Sequence, residues 1–179
     1  DSQEVVQDVL EGRLELGVVG AKWEDGKLDY KDFVKDILTL VVPSNHPWAR
    51  KRSISAKQLG GEAFILREKG SGTRKIMEQA LAKLGIDTGS LKVVAEMGST
   101  EAVIQGIKTG VGVSIVSKRA VDEELGYGLL KEVQIKGITF QRDFYIVGNK
   151  TRTTSPLCQA FTNFLMGFPT NLILKPCKR

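Results

Sequence analysis

Three places in this chain set a small hydroxyl residue at the start of a helical pattern: Ser2, the run Gly70-Ser71-Gly72-Thr73-Arg74, and Ser99-Thr100. A helix N-terminus presents unpaired backbone N–H groups and the positive end of its dipole, so it favours an anion. Hydroxyls at Ser2, Ser71, Thr73, Ser99 and Thr100 add donors, Gly72 lets the backbone come close, and Arg67 and Arg74 flank the central loop with charge. A carboxylate, sulfate or phosphate suits such a set. Each hydroxyl taken alone reads as a helix cap worth about 1 kcal/mol. It is the recurrence after successive strands that points to a pocket. The GxxxxGK(S/T) spacing and its lysine are missing, which excludes a nucleotide P-loop.

Catalysis has little to draw on. The single histidine, His46, lies in Ser44-Asn45-His46-Pro47, a turn, and the two cysteines, Cys158 and Cys177, fit no metal spacing. Neither H-E-x-x-H nor G-x-S-x-G occurs. Glu68, Glu96 and Glu101 read as ion-pair or helix-dipole partners, so binding without turnover is expected, with no catalytic residue, metal or cofactor. Two lone cysteines and no apolar run of about 18 residues favour the cytoplasm over a membrane or a secreted context.

The elements that must hold these residues follow from periodicity. Asp1 and Glu4 form a capping-box pattern ahead of Val5, Val6, Val9 and Leu10, with Gly12 closing the helix and a strand over 14–19. A polar loop is expected from Lys22 to Lys35, with Trp23, Tyr30 and Phe33 lying over the core. Ile37 to Val42 is continuously apolar, as in a strand buried on both faces. From Leu59 the pattern alternates: strand 63–67, helix 73–84, strand 91–96, helix 99–108 and strand 111–116, with Ser117 expected to cap a short helix to Leu125. That alternation predicts an α/β sheet with right-handed crossovers, whose strand-to-helix loops gather at one edge. Strands over 129–135 and 138–147 follow. A last helix begins at Ser155-Pro156, with Leu157, Ala160, Phe161, Phe164 and Leu165 on one face.

The chain has 179 residues, 41% hydrophobic and 26% charged, enough for one domain or two small lobes. Its net charge of +5 is concentrated at Arg50-Lys51-Arg52 and in the tail from Lys175, which read as a solvated turn and a chain end. Aromatics do not interleave with the basic residues as they would along a nucleic-acid groove.

Four stretches together resemble the effector-binding domain of LysR-type bacterial transcription regulators. They are Leu10-Glu11-Gly12-Arg13-Leu14-Glu15-Leu16-Gly17-Val18, Leu40-Val41-Val42-Pro43-Ser44-Asn45-His46-Pro47-Trp48-Ala49, Glu68-Lys69-Gly70-Ser71-Gly72-Thr73-Arg74, and Gly98-Ser99-Thr100-Glu101-Ala102-Val103 with Gly110-Val111-Gly112-Val113-Ser114-Ile115-Val116. The resemblance implies a two-lobed type 2 periplasmic-binding-protein-like fold with two crossover strands. Lobe one would be 1–42 plus 148–179 and lobe two 43–147, with a small anionic effector between them. Ser2 would line the effector site from lobe one, and Ser71, Thr73, Ser99 and Thr100 from lobe two. It also implies self-association through the helix Thr73 to Leu84, and DNA binding only through an N-terminal winged helix-turn-helix that this chain lacks. Members open with a strand, a helix and a second strand ahead of the position of Ser2, so the first lobe is expected to be incomplete. A solute-binding protein of a transporter, or a deaminase- or dehydratase-like enzyme on the same fold, are the rival readings.

Overall fold

A computed structural model describes residues 1–168; Cys177 and the basic tail from Lys175 lie outside the described residues. The described residues form two compact units, one of residues 1–35 with 143–168, the other Asp36–Arg142.

The first unit starts with α1 (Ser2–Glu11). The Asp1 carboxylate accepts from the Glu4 N–H as expected, and Gly12, at φ 79°, ends the helix in a left-handed conformation that suits glycine. Val6 and Val9 are buried with Val19, Leu28 and Val147. Each such side chain contributes roughly 1.5–3 kcal/mol when fully removed from water. Strand β1 (Leu16–Val19) pairs antiparallel with β8 (Phe140–Asn149), from Leu16 opposite Gly148 to Val19 opposite Tyr145. In strand order β8 lies between β1 and β2 (Leu28–Pro43).

The expected loop from Lys22 to Lys35 is corrected by β2, a strand of 16 residues. Asp29, Lys31, Asp32 and Lys35 are exposed, Tyr30, Phe33 and Val34 half-buried, and only Leu28 is buried before Asp36. A half-solvated strand needs no continuous apolar run, so its charges mimic a loop. Trp23 and Tyr30 do pack on the core, the Tyr30 hydroxyl donating to the Trp23 carbonyl at 3.1 Å.

In the second unit β2 is buried from Leu38 through Pro43, although Ile37 stays exposed. It pairs antiparallel with β6 (Ser114–Ser117) and with β7 (Leu130–Ile135), and β7 pairs parallel with the short β3 (Ser53–Ile54). Strand β4 (Ala63–Arg67) runs parallel to β5 (Lys92–Met97), with a parallel bridge from Phe64 to Val113 on its other edge. Phe64 and Leu66 join a cluster with Met77 and Leu81 of α2 (Gly72–Ala82), whereas Ile65 joins Val103, Ile104 and Ile107 of α3 (Thr100–Lys108). Alternate residues of β4 thus bury into opposite layers, which is the two-sided burial of a strand between helices. His46 is the turn residue expected: its Nδ1 accepts from the Trp48 N–H at 3.1 Å.

One further expectation is overturned. Ser117 caps nothing; its hydroxyl donates to Asp36 Oδ1 at 2.9 Å, and α4 (Asp122–Gly126) begins without a side-chain cap. In α5 (Pro156–Gly167), Ser155 is the cap and Pro156 leads the helix as expected, yet Leu157, Ala160, Phe161 and Phe164 are exposed. Apolar spacing identifies one side of a helix but not what it faces. Here the Ser155 hydroxyl donates to Glu15 Oε2 at 2.6 Å and the buried Thr162 faces inward with half-buried Cys158 and Leu165. Among the described residues, no helix is long and apolar enough to cross a membrane.

Candidate functional site

Strand β4 ends at Arg67, and the chain turns through Glu68, Lys69 and Gly70 into α2. Strand β5 ends at Met97 and enters α3 after Gly98 and Ser99. Because β4 and β5 are parallel neighbours, both loops leave the same sheet edge, and two helix N-termini stand side by side.

Side chains tie the two loops together. Arg67 Nη1 donates to Thr100 Oγ1 at 2.7 Å, and its Nε and Nη2 donate to the two carboxylate oxygens of Glu68 at 2.7 and 2.6 Å. From β8, Arg142 Nη1 donates to Thr73 Oγ1 at 2.8 Å, while its Nε and Nη2 both reach Asp36 Oδ2 at 2.8 Å. The Arg142 and Asp36 side chains are only 7% and 1% exposed. Burial lowers the Arg142 pKa, Asp36 opposes that, and the nearby Arg67 cation lowers it further, leaving it below the ordinary value. Two guanidinium groups, each paired with its own carboxylate, thus stand at two helix starts. Burial, the largest single influence, raises the Glu68 carboxyl, but the Arg67 hydrogen bonds, a backbone hydrogen bond and the Arg67 charge together outweigh it, leaving its pKa below the ordinary value.

The residues expected from sequence fall into three groups. Thr73 and Thr100 turn their hydroxyls to arginines, and Arg67 lies against Thr100. Ser71 and Ser99 serve their own helices, accepting from the Arg74 N–H at 3.5 Å and the Ala102 N–H at 3.1 Å, and Gly72 is the buried first residue of α2. Ser2, in the first unit, accepts from the Gly20 N–H at 3.3 Å. Arg74 is committed locally to Glu78, Glu96 and the Arg67 carbonyl. Arg142 and Asp36 were missed. The one available signal was a charged pair, Arg142-Asp143, directly ahead of the apolar and aromatic run Phe144-Tyr145-Ile146-Val147 of β8.

The forks of Arg67 and Arg142 are taken by the Glu68 and Asp36 carboxylates, and their Nη1 atoms by the Thr100 and Thr73 hydroxyls. Among the described residues, no group of three or more His, Cys, Asp or Glu could hold a metal ion.

Residues 1–168 match the family model described as LysR substrate binding domain. A probable RuBisCO transcriptional regulator of Cyanidium caldarium is 34% identical over 170 residues, covering 93% of this chain and 54% of that protein. The chain thus spans about half the length of the curated relatives it matches. Among solved structures, the Synechocystis PCC6803 CcmR regulatory domain in complex with 2-PG aligns with a TM-score of 0.81 at 29% identity, over 93% of this chain and 78% of that one. The effector-binding domain of QuiR in complex with shikimate also reaches 0.81, at 21% identity, over 92% and 76%. That second likeness speaks for the fold alone.

Proposed function

We propose that this chain, which belongs to the LysR substrate-binding domain family, is the effector-sensing part of a transcription regulator and takes a small anionic metabolite at the Arg67, Thr73, Thr100 and Arg142 cluster. Its fold is that of LysR effector-binding domains, α/β and periplasmic-binding-protein-like. The observation that carries the anion reading is the pair of arginines at two adjacent helix starts, each fastened to the hydroxyl of a helix's first turn. An anion placed there would accept from the Arg67 guanidinium and complement both dipoles. Ser71 and Ser99 support the site by holding the loops.

Relatives that are probable transcriptional regulators, and a relative's regulatory domain bound to 2-PG, support this assignment. Control of DNA binding would then belong to segments beyond this chain, self-association to α2, and the compartment to the cytoplasm.

The test is calorimetric titration with 2-PG, shikimate, sulfate and inorganic phosphate. At least one of these anions should bind. Arg67→Met should weaken it roughly tenfold or more, the scale of a hydrogen bond to a charged group, and Thr73→Val should weaken it less. Binding unchanged in both variants, or by none of the anions, would sink the anion site.

A further inference from the structure

We infer that Glu68 is a built-in competitor for the effector: its carboxylate occupies the guanidinium edge of Arg67 that an anionic ligand needs, so it sets the threshold concentration at which the site fills. This rests on the reading of the cluster as an anion site and adds to it a regulating residue and a ligand class. Arg67 donates from Nε and Nη2 to the two Glu68 oxygens at 2.7 and 2.6 Å, the side-by-side fork by which an arginine binds any carboxylate or phosphate. Glu68 follows directly on Arg67 in the loop into α2, so its carboxylate is tethered at the guanidinium whatever the ligand concentration.

The pair is shielded, with Arg67 14% and Glu68 21% exposed, so it is less screened than a surface pair. The second arginine is arranged differently. Arg142 is fastened to Asp36 deep in the unit and turns Nη1 to Thr73 at the helix start. Asp36 therefore acts as a fixed counter-ion, whereas Glu68 sits in the loop and can swing outward.

A ligand that displaces Glu68 must present at least two acceptor oxygens in a fork, as a carboxylate or phosphate group does. It gains most if it carries more than one negative charge, because the displaced carboxylate stays nearby and repels it while both arginines attract it. Neutral polyols and amides lack the charge to take Arg67 from its neighbour.

The probe is inorganic phosphate, titrated calorimetrically into the parent chain, Glu68→Gln, Glu68→Asp, Arg67→Met and Glu62→Gln at one pH and ionic strength. Glu62→Gln removes the same unit of charge at a position that faces His46, and serves as the control for net charge. Glu68→Gln is expected to tighten phosphate binding at least about fivefold, the upper range of an exposed ion pair converted to affinity, with Glu62→Gln within about twofold of the parent. Glu68→Asp, too short to close the fork, should fall between. Binding that appears only in Glu68→Gln would also support the competitor. Unchanged or weaker binding in Glu68→Gln, with binding abolished in Arg67→Met, overturns the competitor but leaves the anion site standing. Binding indifferent to Arg67→Met, or absent from every variant, removes both.

Discussion

Arg142→Met tests the energetics of the second unit directly. Asp36 and Arg142, 106 residues apart in sequence, are its first and last residues, and their side chains are almost fully buried. Methionine roughly fills the volume of the arginine stem but removes both donations to Asp36 Oδ2 and the one to Thr73. Asp36 would keep only the Ser117 hydroxyl at 2.9 Å among the contacts described above, a poor replacement for a cation around a buried carboxylate. Removing one member of a buried pair costs about 3–5 kcal/mol, because the remaining charge is left uncompensated. In a chain of this size that is a fall in midpoint temperature of about 6–20 °C. Trp48, buried in the second unit's core, offers a fluorescence signal for urea unfolding. Asp36→Leu combined with Arg142→Met should recover most of the loss, since an apolar pair of similar volume is often as stable as a buried ion pair. If Arg142→Met lies within about 1 kcal/mol of the parent, or the double variant is no better than the single, the buried clasp does not hold the unit together.

Other perturbations probe separate links. Gly112→Ala would place a methyl 2.6 Å from the Ala63 carbonyl oxygen, a backbone atom that cannot swing away. It should cost about 1–3 kcal/mol, as overpacking does, read from the urea midpoint. The acid limb of the stability curve tests Glu68. Its folded-state pKa lies below the ordinary 4.5, so its stabilisation is present above that value and is lost as pH falls through the depressed one. Glu68→Gln should therefore be less stable than the parent at neutral pH, and the gap should close below about pH 4.5; a gap that persists unchanged into acid would mean the carboxylate charge is not what stabilises the loop.

The fold was legible wherever local signals and burial agreed. The β4-loop-α2 and β5-loop-α3 units stand where apolar runs, capping hydroxyls and stop glycines placed them, within a residue or two at each boundary. The first half of β2 was not legible because a half-solvated strand carrying Asp29, Lys31, Asp32 and Lys35 has the composition of a loop. The outward face of α5 escaped for a different reason: periodicity gives the stripe, while the contact between Ser155 and Glu15, set by tertiary structure, gives the rotation. Within the candidate site, sequence separates poorly between a hydroxyl that caps and one that reaches out. Ser71 and Ser99 turn back to their helices, and Thr73 and Thr100 turn to arginines. Nothing local distinguishes them, since what decides is which cation the fold brings alongside.

That cation is the reason the second unit's stability and its candidate chemistry cannot be separated. Arg142 spends its Nε and Nη2 on the clasp with Asp36 and its Nη1 on the α2 start, so one rigid guanidinium plane serves both. An anion that drew Arg142 toward the helix start would stretch the contact with Asp36, and one that accepted only from the Thr73 side would leave it intact. The two cases differ in a measurable way. In the first, a ligand's affinity falls as the clasp is strengthened, because the coupling between two equilibria is reciprocal. In the second, affinity follows Arg67 and Glu68 and is indifferent to Asp36. The near-complete burial of Asp36 favours the second, since pulling a cation from a buried carboxylate costs more than an exposed anion returns. The variable part of the site is then the Arg67 and Glu68 side, and the Arg142 side is its fixed wall.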